Sequence, residues 1–402
     1  MPQAKKLKNG EPKVVPVTIL TGFLGSGKTT LLNNILKDTE HGMKFAVIEN
    51  EFGEVGIDEK VLSEKVDEEV IEVMNGCICC TVRGDLVQAL KKLYKRVHQF
   101  DGVIIETTGL ADPVPVCQTF FVDEDIKQKY KLDSVITVVD SKYILERLAE
   151  EKPEGVENEA VEQVAFADKV LLNKIDLSTE AELKKIEAKI RSLNPTAPIK
   201  RTKDSKISPK DVLNIQAFEL QRVLDFDPEF LDEGAEHQHD ETVSSVAVKS
   251  EGSVNLMLLE SWIQRLINED GANLYRYKGI ISVKGVDEKF IFQGVGMMFN
   301  GGFADQKWKK NEKRESRFVF IGKHLDHQMH RDGFIACLET FALRFKVGDI
   351  VEANVGTFKK GKILKQWDEG NAYRIEIQNA KKSNVYAPVD IDAYVRKPRS
   401  AN

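Results

Sequence analysis

One eight-residue stretch, GFLGSGKT at Gly22–Thr29, constrains the fold of this chain more than any other. It matches the pattern G-x-x-x-x-G-K-[ST], follows the apolar segment VVPVTIL (Val14–Leu20) and opens a helical segment, TLLNNIL. A strand, a glycine-rich loop and a helix in that order form a phosphate-binding P-loop, in which backbone amides and the helix N-terminus point at phosphate oxygens. The pattern therefore predicts nucleotide contacts from Gly22, Gly25, Ser26, Gly27, Lys28, Thr29 and Thr30.

Three side chains are predicted to handle the reactive end of the nucleotide. Lys28 would reach the β- and γ-phosphates, and the Thr29 hydroxyl would bind Mg²⁺. The apolar run GVIIE ends at Glu106, whose carboxylate can bind Mg²⁺ through water, and the amide of Gly109 in the following TTG can sense the γ-phosphate. No glutamine follows at the water-orienting position and no internal arginine finger is evident, so we expect slow intrinsic hydrolysis.

The base is predicted from NKID, Asn173–Asp176, which follows the apolar run KVLLN. The Asp176 carboxylate can accept two hydrogen bonds from guanine that adenine cannot donate, and a wrong base would leave a buried acceptor unpaired. Asn173, Lys174 and Asp176 are therefore expected to select GTP over ATP. Asp140 ends the preceding apolar run, SVITVVD, and we assign it no role.

The order of apolar runs predicts the architecture. Near-continuous apolar strands alternate with helical patterns up to about residue 224, which indicates a doubly wound α/β domain with a mostly parallel sheet. We predict a flexible N-terminal tail over residues 1–13, followed by this P-loop domain over residues 14–224. An acidic linker, residues 225–241, leads to a smaller α+β domain over residues 242–344. A small β-barrel of the SH3 or Tudor kind is predicted over residues 345–396.

Composition excludes several classes of partner. The chain has 402 residues, with 58 Lys and Arg against 64 Asp and Glu, a net charge of −6. A mildly acidic chain is not suited to coat nucleic acid or an anionic membrane, and no apolar run reaches the ~18–20 residues that cross a bilayer. The N-terminus has no apolar stretch typical of a signal peptide, and five cysteines are too few for a disulfide framework. We therefore expect a cytoplasmic protein without nucleic-acid or membrane partners.

Three of the five cysteines lie within the segment NGCICC, as Cys77, Cys79 and Cys80. Three thiolates at this spacing suit a borderline ion such as Zn²⁺, and they leave a tetrahedral site one ligand short. Buried apolar cysteines, a redox pair and an iron–sulfur cluster remain alternatives. The other two, Cys117 and Cys337, lie in apolar helical segments and are predicted to be core residues.

An acidic segment, ENEFGEVGID, follows the second apolar run, where switch I of a P-loop GTPase moves with the γ-phosphate. Its carboxylates Glu49, Glu51, Glu54 and Asp58 can complete a zinc site or touch Mg²⁺, and Asp58 is a further candidate catalytic residue.

The histidines are less informative. We expect His324, His327 and His330 to be scattered on the surface.

Together, TGFLGSGKTTLLN, ENEFGEVGID, NGCICC, ETTGLADP, NKID, LYRYKGII and FQGV resemble the CobW-type metallochaperone GTPases, and in particular the subgroup of zinc-regulated GTPase metalloprotein activators. The resemblance covers about residues 14–341 and implies a SIMIBI-type P-loop fold. It implies that Cys77, Cys79 and Cys80 bind Zn²⁺ or Co²⁺, with Glu49 and Glu54 as further candidates. The barrel is an addition that many relatives lack.

The resemblance also implies an activity, in which GTP binding and hydrolysis with Mg²⁺ are coupled to transfer of the metal into a client metalloprotein. Two other functions remain open, namely a cobalt or iron insertion chaperone for one enzyme and a nucleotide-gated scaffold with a structural zinc. The sequence does not fix the client, the metal or the oligomeric state.

Overall fold

The structure is a computed structural model that describes residues 13–49, 82–153, 158–225, 243–271, 273–309, 311–338, 341–378 and 383–398. The chain divides into two compact units, Met1–Arg222 and Val223–Asn402. None of the described helices has the length and apolar character needed to cross a bilayer.

The first unit is built on a six-stranded sheet whose strands all pair in parallel. Its strands are β1 (Val15–Thr21), β2 (Phe45–Glu49), β3 (Gly102–Glu106), β4 (Tyr130–Asp140), β5 (Lys169–Asn173) and β6 (Ile199–Arg201), in the order β2-β3-β1-β4-β5-β6. The prediction of a doubly wound, mostly parallel sheet is confirmed. The carboxyl ends of β1 to β5 lie along one edge, which is where such sheets bind ligands.

Helices cover both faces of this sheet. The described helices are α1 (Lys28–Lys37), α2 (Val82–Tyr94), α3 (Val114–Val122), α4 (Glu124–Lys129), α5 (Ile144–Leu148), α6 (Glu159–Phe166) and α7 (Glu180–Leu193). Successive residues of β5 show the alternation, because Leu171 packs in the core that contains α1, whereas Val170 and Leu172 pack in the core that contains α5, α6 and α7. Local sequence fixes the helix starts, and α7 begins with a capping box formed by Thr179 and Glu182.

The second unit begins with an α+β arrangement. Its elements are β7 (Val243–Glu251), α8 (Leu256–Asp270), β8 (Leu274–Ile281), β9 (Glu288–Val295), β10 (Met298–Lys307), β11 (Glu315–Lys323) and α9 (His327–Ile335). The strands form an antiparallel sheet in the order β10-β9-β8-β11-β7. Trp262 of α8 packs edge-on against Phe318 and Phe320 of this sheet.

The structure corrects three expectations from the sequence, namely that KFIFQGVGMMF is one strand, that the last helix lies near Met329–Phe341, and that His330 is on the surface. The run KFIFQGVGMMF is not one strand, because Gly296, at φ 57°, turns the chain between β9 and β10. The last helix ends at Ile335 and not near residue 341, because Leu338 leaves the helical path to form an isolated antiparallel β-bridge with Val254. His330 is fully buried and packs edge-on against Phe320.

The remaining residues form the small five-stranded antiparallel sheet that the sequence predicts. Its strands are β12 (Ile350–Asn354), β13 (Phe358–Asp368), β14 (Asn371–Ile377), β15 (Asn384–Ala387) and β16 (Val395–Arg396), in the order β15-β14-β13-β12-β16. Residues of this sheet and of α8 belong to one hydrophobic core. The Arg265 guanidinium of α8 also lies 4.2 Å from the centre of the Tyr394 ring. This sheet, which we call the small barrel after the sequence prediction, is therefore packed on α8.

Candidate functional site

The P-loop joins β1 to α1 in a conformation that requires glycine. Gly22 and Gly27 have φ angles of 137° and 111°, in the region that L-residues avoid. A Cβ on Gly22 would overlap the Val138 carbonyl oxygen, and one on Gly27 would lie 2.5 Å from Nδ2 of Asn173. The loop is thus held against β4 and β5 at distances that exclude any larger residue.

Lys28 is buried at the start of α1. Its ammonium group donates hydrogen bonds to the Gly22 carbonyl at 2.7 Å and the Phe23 carbonyl at 3.4 Å. Burial lowers the pKa of Lys28, and the nearby Glu106 carboxylate opposes that shift. Ser26 of the same loop is buried, and its hydroxyl has no hydrogen-bond partner within the described residues. Among the described residues, the hydrogen bonds of this buried cation go to carbonyl oxygens, and a buried hydroxyl lies in the same loop. This arrangement fits a site built for an anion.

Thr29, in the first turn of α1, meets Glu106 at the end of β3. The Thr29 hydroxyl donates to Oε1 of Glu106 at 2.8 Å. A hydroxyl and a carboxylate are the hard oxygen donors that Mg²⁺ prefers, so this pair fits the magnesium that accompanies a nucleotide. Glu49 ends β2 directly beside Glu106 in the sheet register, and only its backbone is described.

Asn173 ties the P-loop to two other segments. Its Nδ2 donates to the Ser26 carbonyl at 3.0 Å and to the Ser205 hydroxyl at 2.8 Å. Its Oδ1 accepts from the Ser205 amide at 2.9 Å and from the Thr202 hydroxyl at 3.1 Å. The Ser205 hydroxyl in turn donates to the Gly27 carbonyl at 2.9 Å. The Asn173 amide is thus fully used inside the protein, and it positions the loops around it.

The backbone of Lys174 lies in the left-handed region, at φ 57°. Its ammonium group links the P-loop to the end of β4. It donates to the Gly25 carbonyl at 2.7 Å and to Oδ2 of Asp140 at 2.7 Å. Asp140 is buried and its other oxygen accepts from the Lys142 amide at 2.8 Å. Our sequence reasoning assigned Asp140 no role. Asp140 ends β4 in register with Asn173 at the end of β5. This position beside the NKID motif is the feature that could have identified Asp140 as a site residue.

Asp176 lies in a short 3-10 turn, Ile175–Leu177, where its side chain is 40% exposed and stands 3.7 Å from the Lys203 ammonium. Thr30, one residue into α1 from Thr29, is exposed. Gly109 lies against the P-loop, where a Cβ on it would overlap the Leu24 amide nitrogen. The predicted phosphate, magnesium and base residues therefore converge at the carboxyl edge of the sheet.

The predicted metal ligands cannot be placed in the same way. Cys77, Cys79, Cys80 and Glu54 lie outside the described residues, as do Glu51 and Asp58. Within the residues that are described, no three His, Cys, Asp or Glu side chains form a group that could hold a metal ion. Cys117 and Cys337 are buried, which confirms the prediction that they are core residues.

Two family models match the chain. Residues 16–201 match the CobW/HypB/UreG nucleotide-binding domain, and residues 243–338 match the C-terminal domain of the cobalamin synthesis protein CobW. The small barrel lies outside both matched ranges.

Relatives match most of the chain. The zinc chaperone YjiA of Escherichia coli is 37% identical over 325 residues, which cover 80% of this chain and 98% of YjiA. The zinc chaperone CobW of Pseudomonas aeruginosa is 35% identical over 81% of this chain and 93% of that protein. Zinc-regulated GTPase metalloprotein activator 1 of Dictyostelium discoideum is 39% identical over 52% of this chain and 50% of its own length.

Solved structures agree with these matches. The crystal structure of zinc-bound YjiA GTPase from E. coli gives a TM-score of 0.64 at 31% identity, over 81% of this chain and 100% of the YjiA chain. A zinc-bound YjiA triple mutant, with one glutamate and two cysteines replaced by alanine, gives 0.65. On its two family matches and its similarity to nearly the full length of YjiA, the chain belongs to the CobW family.

Proposed function

We propose that this protein is a cytoplasmic GTPase that carries Zn²⁺ and delivers it to a client metalloprotein. The observation that carries the proposal is the Cys-x-Cys-Cys segment between β2 and α2 of a P-loop domain whose relatives are named zinc chaperones. The reaction is hydrolysis of GTP to GDP and phosphate.

The nucleotide is assigned from the edge of the sheet. Backbone amides of the P-loop and Lys28 would bind the phosphates, and Thr29 with Glu106 would hold Mg²⁺, which supplies charge neutralisation at the β- and γ-phosphates. Asp176 would accept from guanine, with Lys174 placed by Asp140. Because no glutamine or arginine finger is evident in the sequence, we expect a slow rate in the absence of a partner.

Zinc is the cargo in this proposal. Cys77, Cys79 and Cys80 supply three thiolates, and Glu49 or Glu54 can supply the fourth ligand of a tetrahedral site. A shell with three thiolates and one weaker ligand can exchange its ion more readily than a closed Cys₄ site. That property suits delivery, whereas a structural zinc is fully enclosed by protein ligands.

The proposed coupling begins at Glu49. This residue ends β2 in register with Glu106, and Glu106 contacts Thr29 at the magnesium position. The segment that leads to the cysteines therefore starts beside the group that responds to the nucleotide. Coupling requires that the zinc affinity differs between the GTP and GDP states, since a ligand shifts an equilibrium only by its differential affinity.

The test is a zinc titration of the full chain with a non-hydrolysable GTP analogue and with GDP, each with Mg²⁺. We expect the two zinc dissociation constants to differ by at least about fivefold. The matched variant replaces Cys77, Cys79 and Cys80 by Ser, and should lose tight zinc binding while keeping its affinity for GDP. Equal zinc affinities in the two states would rule out the coupling, and unchanged zinc affinity in the variant would place the site elsewhere.

A further inference from the structure

The loop that follows β3 is fastened by a side chain from a different part of the first unit. Gln163, a buried residue of α6, donates from Nε2 to the Gly109 carbonyl at 3.2 Å and to the Ala111 carbonyl at 3.1 Å. Both partners are acceptors, so the donor end of the amide must face the loop. Gln163 therefore binds a loop that lies more than 50 residues away from it in the sequence.

The same loop also lies against the P-loop. The Gly109 Cα packs so closely on Leu24 that a Cβ would overlap the Leu24 amide nitrogen. Two residues earlier, the Thr107 hydroxyl donates to the Thr21 hydroxyl at 3.0 Å. The loop is thus held between the P-loop on one side and α6 on the other. From the sequence we expect the Gly109 amide to sense the γ-phosphate of a bound nucleotide.

The side-chain amide of Gln163 is not needed to place α6. The backbone of this helix is fixed to the sheet separately, because the Thr137 hydroxyl of β4 donates to the Gln163 carbonyl at 2.7 Å. Oε1 of Gln163 is buried and has no hydrogen-bond partner within the described residues. Burying an unpaired acceptor costs free energy of folding. An apolar side chain of similar length would fill the same volume without that cost. The distinctive contribution of the amide is its pair of bonds to the loop.

We propose that Gln163 is a positioning residue for the γ-phosphate. It holds the Gly109 and Ala111 carbonyls so that the Gly109 amide stays at the P-loop, where a nucleoside triphosphate places its third phosphate. A diphosphate has no group at that position. Gln163 therefore contributes to triphosphate affinity and not to diphosphate affinity. This inference rests on the proposed GTPase function.

The experiment compares two variants of the full chain. Gln163→Met keeps the length of the side chain and removes both donated bonds, whereas Thr137→Val removes the bond to the α6 backbone and leaves the loop contacts in place. Affinities for GDP and for a non-hydrolysable GTP analogue are measured with Mg²⁺, together with kcat and KM. Gln163→Asn, which keeps the amide but is one methylene too short, is the second variant if Gln163→Met fails to fold.

For Gln163→Met we expect an about tenfold loss of affinity for the GTP analogue, with GDP affinity changed by less than about twofold. The KM of Gln163→Met for GTP should rise as its affinity for the GTP analogue falls. Thr137→Val should lower the melting temperature and leave the ratio of the two affinities unchanged. Equal losses for both nucleotides in Gln163→Met, or none, would overturn the role of Gln163. If the wild-type chain binds neither nucleotide, the proposed function fails first, and this inference with it.

Discussion

The Lys174 ammonium lies 2.7 Å from the Asp140 carboxylate, and this pair joins the ends of β4 and β5 across the candidate base site. Asp140 is buried, and the Lys142 amide holds its other oxygen. The lysine also donates to the Gly25 carbonyl of the P-loop. Its position is therefore set by an anion that the binding motif itself does not include.

The first prediction concerns this carboxylate. Asp140→Asn keeps the shape and an acceptor for the Lys142 amide but removes the negative charge that holds Lys174. A charge-assisted hydrogen bond contributes about 1.5–3 kcal/mol, so we expect GDP and GTP to bind about tenfold more weakly. Titration with a fluorescent nucleotide measures this. Asp125→Asn is the control, because it removes a carboxylate from α4, before the amino end of β4. Unchanged affinity in Asp140→Asn would show that Lys174 does not depend on Asp140.

The second prediction concerns magnesium. Thr29→Ala removes the hydroxyl that contacts Glu106, so Mg²⁺ should no longer strengthen nucleotide binding. We expect the Mg²⁺-dependent gain in GTP affinity to fall at least about tenfold and hydrolysis to fall with it. The measurement is GTP affinity with and without Mg²⁺. Thr119→Ala, which removes a hydroxyl that bonds within α3, is the control. A full Mg²⁺ response in Thr29→Ala would remove Thr29 from the metal site.

The sequence was sufficient to predict the parts of this site that depend on local pattern. The P-loop and NKID are contiguous motifs placed between apolar strands and helices, and both lie at the carboxyl edge of the sheet as expected. Asp140 and Gln163 could not be found in that way. Their partners are 34 and more than 50 residues away in sequence, so their roles depend on which strands become neighbours.

The errors in the second unit have similar causes. The apolar run through Gly296 gives no polar signal for a turn, and a single glycine decides where β9 ends and β10 begins. The spacing of His324, His327 and His330 is compatible with an exposed helix face. His330 is buried because α9 is oriented by Phe334 and Trp262, which pack together in the core. Tertiary packing, and not the local pattern, decides the environment of this histidine.

The third prediction concerns the buried cation of the P-loop. Burial lowers the pKa of Lys28 in the folded chain, so the unfolded chain binds that proton more tightly. The protonated lysine is therefore less favourable in the folded, nucleotide-free protein than in the unfolded chain, and it lowers the stability of the folded state. We expect Lys28→Met to weaken GTP binding at least about a hundredfold, while the nucleotide-free variant melts no lower than wild type. Calorimetry without nucleotide measures the second effect. A clearly lower melting temperature would mean that the carbonyl contacts of Lys28 outweigh its desolvation.

The fourth prediction is a pH dependence of the second unit. The His330 Nδ1–H donates to the Asp326 carbonyl at 2.7 Å, and burial lowers the pKa of this histidine. At pH values above the unfolded pKa of about 6.5 the ring is neutral in both states and its contribution is complete. As the pH falls below that value, the unfolded chain takes up a proton first, so stability declines until the lower folded pKa is reached.

This dependence can be measured selectively, because the three tryptophans of the chain, Trp262, Trp308 and Trp367, all belong to the second unit. Urea unfolding followed by tryptophan fluorescence should give a free energy of unfolding that falls between pH 7.5 and pH 5.5. In His330→Gln that slope should be smaller, whereas in His98→Gln, an exposed histidine of the first unit, it should match wild type. A slope unaltered by His330→Gln would assign the pH dependence to other groups.

The fifth prediction tests how the small barrel is attached. Arg344 donates from its backbone amide at 2.5 Å and from Nε at 2.9 Å to Asp390, whose side chain is 0% exposed. The Tyr373 hydroxyl donates to the same carboxylate at 2.7 Å. Arg344→Met leaves Asp390 buried without its cation, and we expect it to lower the free energy of unfolding by about 2–4 kcal/mol. Lys365→Met removes an exposed ammonium group from Asp368, which keeps its contact with Arg374, and should cost less than about 1 kcal/mol.

The form of the transition distinguishes two kinds of attachment. Residues of α8 and of the barrel share one hydrophobic core, so a weakened barrel should reduce the stability of the whole unit. Trp262 lies in α8 and Trp367 in the barrel, and single-tryptophan variants that retain one or the other report on each part. Coincident unfolding curves, both shifted by Arg344→Met, are expected. A shift seen only by Trp367 would mean that the barrel unfolds separately, as a tethered domain would.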